Sequence, residues 1–378
     1  MAFTKAPNVA QYQGADWSNF KKRVPNCTPA GAQRIAMRDP SITFFFYCRD
    51  PINLRAKGSF NRGDAVFFTG QPWYGSAPQC DAYQKDFFNV AYFDSKGGPF
   101  RNVGCYVLEN GRPFFDVAVL FAANIKGDPD KAVFGFNDTI RRALESGDVK
   151  RLQDLGITVL LSVLGDHDPA GWSAFPNEES ARDFARQLAD CVDKYGLDGI
   201  DIDDEYSCYV GSSEECANPS QTNDSSLIMA TSTLRTLRPE IIISKALCAT
   251  GDCYDLQRFS ATWNGKTLAQ QLSYGWEMRY NADGGPDARL QPYSDLDAAH
   301  RLQKRQLVLG VSNEDSNNRT PPEWVKRDTA GVKDEGYGGM LVFETELPDG
   351  PHGAVVYASD IAQVLYGQKA TIKPGCWS

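Results

Sequence analysis

From residue 115 onward the chain alternates two patterns. Short, unbroken apolar runs are separated by longer stretches in which apolar positions recur every three or four residues. The runs are 115–122 (FDVAVLFA), 158–164 (TVLLSVL), 197–203, 241–244, 272–276, 307–311 and 339–343. Such runs predict parallel strands covered on both faces, because a strand with one solvated face would alternate. Among the helical stretches, residues 178–194 place Phe184, Leu188, Cys191 and Val192 on one stripe. Asn177 stands ready to cap that helix and Gly196 to end it. Ser359 is expected to cap a last helix carrying Ile361, Val364 and Leu365. With 42–47 as a further strand the count reaches eight, the arithmetic of an α/β fold closed as a (β/α)8 TIM-type barrel. A doubly wound open sheet is the alternative, but no glycine-rich nucleotide-binding fingerprint follows any strand.

Residues 48–110 do not fit one barrel repeat. They are rich in Gly, Pro and aromatic residues and hold Cys80 and Cys105. We read them as a long N-terminal insertion between the first two strands of a single catalytic domain, 1–378. Trp73 and Tyr74 in it either line a sugar cleft or merely cover a barrel edge; aromatic faces suit both roles.

Composition narrows the partners. The formal charge of −9 and the lack of a compact Lys/Arg cluster exclude a nucleic-acid partner. No apolar run approaches the roughly 18 residues that a spanning helix needs, so no membrane partner is expected either. A monomer acting on a neutral or polar partner is the expectation. Ten cysteines without any C-x-x-C spacing, and only three histidines, argue against a zinc site and for disulfides formed in an oxidising compartment. Sequons at Asn26, Asn137, Asn223 and Asn318 fit the same secreted, extracellular setting. The start Met1-Ala2-Phe3-Thr4-Lys5 carries no apolar segment behind a basic one, so a secretory leader is expected to be absent or already removed.

The chemistry concentrates in Asp198-Gly199-Ile200-Asp201-Ile202-Asp203-Asp204-Glu205-Tyr206. Side chains alternate along a strand, so Asp201, Asp203 and Glu205 share the face turned to the barrel interior, while Ile200 and Ile202 meet the helices. Glu205 comes last, at the C-terminal end where barrel active sites sit. Crowded carboxylates keep at least one of their number protonated, which is what a general acid needs. A calcium loop of the EF-hand kind would need glycine at its sixth position; here Gly199 precedes the acids and isoleucines alternate with them. A solvated acidic loop is disfavoured by the same isoleucines.

The run from Asp198 to Glu205 resembles the D-G-x-D-x-D-x-E signature of glycoside hydrolase family 18. The segments Val117-Ala118-Val119-Leu120-Phe121-Ala122-Ala123-Asn124, Val159-Leu160-Leu161-Ser162-Val163-Leu164-Gly165-Asp166-His167 and Glu335-Gly336-Tyr337-Gly338 are similar to the endo-β-N-acetylglucosaminidase H group of that family. The resemblance implies a retaining hydrolase of the GlcNAc-β-1,4-GlcNAc core of N-linked glycans, acting on a glycan or glycoprotein without metal or cofactor. The substrate's own 2-acetamido oxygen would be the nucleophile. Glu205 would be acid and then base, Asp203 would hold the acetamido group, and Asp201 would tune Asp203 by sharing a proton. Tyr206, Trp276, Tyr274, Phe343 and Asp198 complete the candidates around the sugar, Asp198 with a structural part. Chitin-type or other N-acetylhexosamine glycans, or a lectin on the same fold, are the alternatives; the retained Glu205 speaks against the lectin.

Departures bear on the substrate. The resemblance leads one to expect a tyrosine followed by asparagine late in a strand after the acidic motif, but Ser244-Lys245-Ala246-Leu247 offers neither. Glu277 and Arg279 bring charge to a later strand, and Glu344 follows Phe343 where chitinases carry a tryptophan. Cys208 with Cys216, and Cys248 with Cys253, could each close a loop beside the site.

Overall fold

The computed structural model describes residues 3–11, 17, 19–53, 59–69, 74–94, 96, 98–210, 218–248, 255–314, 317–346, 349 and 353–376. Eight parallel strands close on themselves in it: Phe88–Asp94, Val117–Lys126, Thr158–Gly165, Gly199–Ile202, Ile242–Leu247, Tyr274–Glu277, Leu307–Ser312 and Gly339–Phe343. Closure is made by the first, which pairs Val90 with Val117 of the second and Phe88 with Gly339 of the eighth. The apolar runs are buried on both faces, as their lack of alternation predicts.

The fourth strand is launched as expected. Asn177 accepts from Ser180 N to start helix Glu178–Tyr195, and Gly196 ends it at φ 63°, a left-handed conformation that glycine adopts freely. Gly199 has a different duty: a Cβ there would lie 2.0 Å from the Ile242 carbonyl oxygen, so only glycine lets the fourth and fifth strands pair at this level. The last helix, Ala354–Tyr366, begins after Gly353, which puts Ser359 inside it rather than at its cap.

The N-terminal third corrects the sequence reading. Residues 42–47 are not the first barrel strand. Of these, 44–47 belong to Phe44–Cys48, the middle strand of a five-stranded antiparallel sheet ordered Phe3–Gln11, Tyr74–Lys85, Phe44–Cys48, Ala65–Phe68, Phe20–Val24. The true first strand, Phe88–Asp94, lies inside the segment 48–110, so that segment is not an insertion between the first two strands. The confusion has a packing cause. Phe45 and Phe67 of the sheet join Val90, Val117, Leu160, Ile242, Val308 and Leu341 of the barrel interior, while Phe44, Phe46 and Phe68 fill a second cluster on the sheet's far side. A strand buried on both faces reads like a barrel strand wherever it sits.

This sheet, with helix Pro29–Arg38, seals the N-terminal end of the barrel. Asp198 fastens the seal: its carboxylate takes Arg38 at 2.6 Å, Gln153 Nε2 at 2.9 Å and Val159 N at 3.0 Å, with Arg34 at 3.6 Å. Cys105–Cys376 ties the last residues back to the barrel. Cys208 and Cys248 are disulfide-bonded, whereas Cys216 and Cys253 lie outside the described residues. Cys27, Cys48, Cys80 and Cys191 are free thiols, so the cysteines are not all paired. Among the described residues no helix is long and apolar enough to cross a membrane.

Candidate active site

With the N-terminal end sealed, the C-terminal end is the open one. There the fourth strand delivers its acids in three layers. Asp201, fully buried, lies deepest. Its Oδ2 accepts from Ser162 Oγ at 2.9 Å and from the Tyr92 hydroxyl; its Oδ1 accepts from Ser244 Oγ at 2.7 Å and Trp276 Nε1 at 2.8 Å. Burial pushes this carboxyl up, and the four donors pull against it. With both oxygens used in this way, Asp201 is held by the barrel wall.

Asp203, one layer up and 3% exposed, has no comparable cradle: its Oδ1 lacks a hydrogen-bond partner. Burial, then the charges of Glu205 and Asp201, hold it well above the usual carboxylate range. Both neighbouring acids thus favour a proton on Asp203, Glu205 more strongly than Asp201. Asp203 and Glu205 line a cavity of about 460 Å³ walled by Tyr92, Phe121, Tyr280 and Phe343.

The other candidates divide. Tyr206 stands exposed on the rim at φ 53° and Phe343 lines the cavity. Trp276 is 1% exposed and meets Asp201 from below, so it is a support and not a sugar platform. Tyr274 is no sugar contact either: wholly buried, it donates to Met37 O at 2.6 Å and accepts from Lys85 at 3.0 Å, on the barrel floor. Its position at the N-terminal start of the sixth strand accounts for this. Asp198 lies at the sealed end, so it is no substrate contact, and only its structural part is kept. Trp73 and the side chain of Tyr74 lie outside the described residues.

Charges that looked foreign to a sugar cleft pair with one another. Glu277 is buried against Arg289 at 2.5 Å and Arg279 at 2.6 Å, and Glu344 meets Lys96 at 2.5 Å. Ala246 does border the cavity.

Tyr280 is one residue the sequence reading missed. Its ring stacks on Phe343 at 5.4 Å, and it lines the cavity beside Asp203 and Glu205. Burial and those two acids push its hydroxyl well above 10, so it stays a donor. Asn281 follows it and also lines the cavity. The tyrosine–asparagine pair sought at 244–247 therefore stands one strand later, and the signal was present in Tyr280-Asn281 itself. Tyr92 and Phe121 were missed as well; as apolar-run residues they carry no distinguishing mark. A larger cavity of about 1350 Å³ lies between helix Pro29–Arg38 and the barrel underside, but none of the acidic motif reaches it.

Comparison with known proteins agrees with this arrangement. The model of the glycosyl hydrolases family 18 matches residues 89–317. An endo-beta-N-acetylglucosaminidase of Flavobacterium sp. (strain SK1022) is 35% identical over 287 residues, covering 75% of this chain and 82% of the relative. Endo-beta-N-acetylglucosaminidase F1 of Elizabethkingia meningoseptica is 39% identical over 115 residues, 29% of this chain and 34% of that protein. Among solved structures, EndoBT-3987 of Bacteroides thetaiotaomicron with Man5GlcNAc product superposes with a TM-score of 0.56 at 18% identity, over 99% of this chain and 92% of that one. A Rhizomucor miehei chitinase gives 0.53 at 18% identity, over 73% and 99%. At that identity the structural likeness speaks for the fold.

Proposed function

The chain belongs to glycosyl hydrolase family 18, and on that premise we propose that it is an endo-β-N-acetylglucosaminidase that cuts between the two core N-acetylglucosamines of N-linked glycans. The observation that carries the reading is the Asp203–Glu205 pair beside Tyr280 in one cavity at the open end of the barrel. The 35% identity over 287 residues to a protein named endo-beta-N-acetylglucosaminidase supports the choice of bond.

In this reading Glu205 protonates the glycosidic oxygen, and the 2-acetamido oxygen attacks the anomeric carbon from the other side to form an oxazolinium ion. Asp203 accepts the acetamido N–H and stabilises the positive charge that develops there, while the Tyr280 hydroxyl donates to the acetamido oxygen. Water then opens the ring with Glu205 as base, which returns the proton and retains the configuration. Asp201 positions Asp203 from below, itself fixed by Tyr92, Ser162, Ser244 and Trp276. Phe343 and Phe121 offer apolar faces to the sugar, and Tyr206 guards the rim.

We also propose a secreted, extracellular protein; the disulfide Cys105–Cys376 and the bonded Cys208 and Cys248 support an oxidising compartment. The substrate is tested by offering a high-mannose glycopeptide and an N-acetyl-chitooligomer side by side. Release of the oligosaccharide with one N-acetylglucosamine left on the peptide, and little action on the chitooligomer, is the expected result. Cleavage of the chitooligomer alone would overturn the N-glycan reading.

A further inference from the structure

Asp94, Glu344 and Glu346 meet beside the cavity mouth, where the first barrel strand ends and the chain leaves the eighth. One carboxylate oxygen from each lies within 4.8 Å of the other two. Glu346 is 3% exposed; its Oε2 accepts from Asp94 N at 3.1 Å, and its Oε1 has no hydrogen-bond partner. An orphaned carboxylate oxygen in so buried a place is costly unless something binds it. Glu344 is 2% exposed and held at φ 64°, a conformation that a non-glycine residue keeps only when its surroundings impose it. The one cation paired with the cluster among the described residues is Lys96, 2.8 Å from Asp94 and 2.5 Å from Glu344, with a side chain 57% exposed. Three carboxyl groups thus share one ammonium.

We propose that Asp94, Glu344 and Glu346 form a site for a hard divalent cation of the calcium class, and that Lys96 is the counter-ion that swings aside to admit it. The spacing lets one ion reach an oxygen of each residue, since calcium binds oxygens at about 2.3–2.6 Å. Carboxylates are also the ligands calcium takes, and Glu346 Oε1 is the one that no protein group uses. The ion would brace the wall of the cavity that Asp94 and Lys96 line.

The test uses the full chain stripped with chelator and titrated with calcium chloride, followed by thermal denaturation and calorimetry. Saturable binding that raises Tm is expected, with a Kd of about 10⁻⁴–10⁻³ M as in other extracellular modules. Glu346→Gln should weaken binding at least about tenfold, since one ligand charge goes; if that variant does not fold, Glu344→Gln takes its place. Lys96→Met separates the proposal from a merely structural ion pair. It should bind calcium more tightly than the wild type, because the competing ammonium is gone. No calcium-dependent rise in Tm for the wild type, or equal binding by Glu346→Gln, or weaker binding by Lys96→Met, would overturn the site.

Discussion

Replacing Asp198 with Asn should lower stability and leave turnover alone. The side chain keeps its shape, but an amide nitrogen now faces donors: Val159 N, Gln153 Nε2 and Arg38 all point at the carboxylate. Removing one partner of a buried ion pair costs about 3–5 kcal/mol. Arg34 and Arg38 keep 25% and 28% of their side-chain surface, so water recovers part of that and roughly 2–3 kcal/mol remains. At about 2.1 cal/mol/K per residue, cooperative unfolding of 378 residues carries roughly 0.8 kcal/mol/K, so Tm should fall by about 3 °C. Thermal denaturation gives the first number, and kcat and KM on a glycopeptide give the second. Because Asp198 sits at the sealed end, both kinetic constants should stay within about twofold, a free-energy change below roughly 0.5 kcal/mol. An unchanged Tm together with a raised KM would refute the structural assignment and restore Asp198 to the substrate site.

Further expectations follow from the same geometry. Trp276→Phe removes one of four donors from Asp201 while keeping an aromatic ring; losing a bond to a charged group costs about 1.5–3 kcal/mol, so kcat should fall about tenfold or more with KM little changed. Asp203→Asn should abolish activity yet raise Tm at pH 7. The native-state carboxyl is held above its unfolded value near 3.9, so its ionisation destabilises the fold as pH rises through that interval, and Asn avoids it. The gain should shrink as pH falls and vanish below about pH 3, where the wild-type group is protonated in both states; a constant difference in Tm across pH would contradict the sign. Cys376→Ser frees a link spanning 271 residues and should cost about 2–5 kcal/mol, read as a lower denaturant midpoint.

What was legible in the sequence was what alternation and spacing encode. The acidic motif announced its face and its end of the strand, because a period of two leaves Asp201, Asp203 and Glu205 no other side to take. Six barrel strands were visible as mainly apolar runs and the fourth by its alternating isoleucines and acids. The first was hidden, since Phe88–Asp94 mixes Asn, Tyr and Asp among its apolar residues, and Phe44–Cys48 imitated it so well. Depth along a strand was the other blind spot. Tyr274 and Trp276 are inward-facing aromatics, yet both are buried, Tyr274 bonded to Met37 O on the floor and Trp276 to Asp201, contacts that spacing along the strand does not reveal. Tyr280 lies beyond its strand, where neither periodicity nor pairing governs direction.

The most direct measurement is the mass of a glycoprotein bearing high-mannose N-glycans after incubation with the wild-type chain and with Glu205→Gln. The account predicts that the wild type leaves a single N-acetylhexosamine at each site and that Glu205→Gln leaves the glycan whole. Loss of the entire glycan, no loss with the wild type, or undiminished cleavage by Glu205→Gln would contradict it.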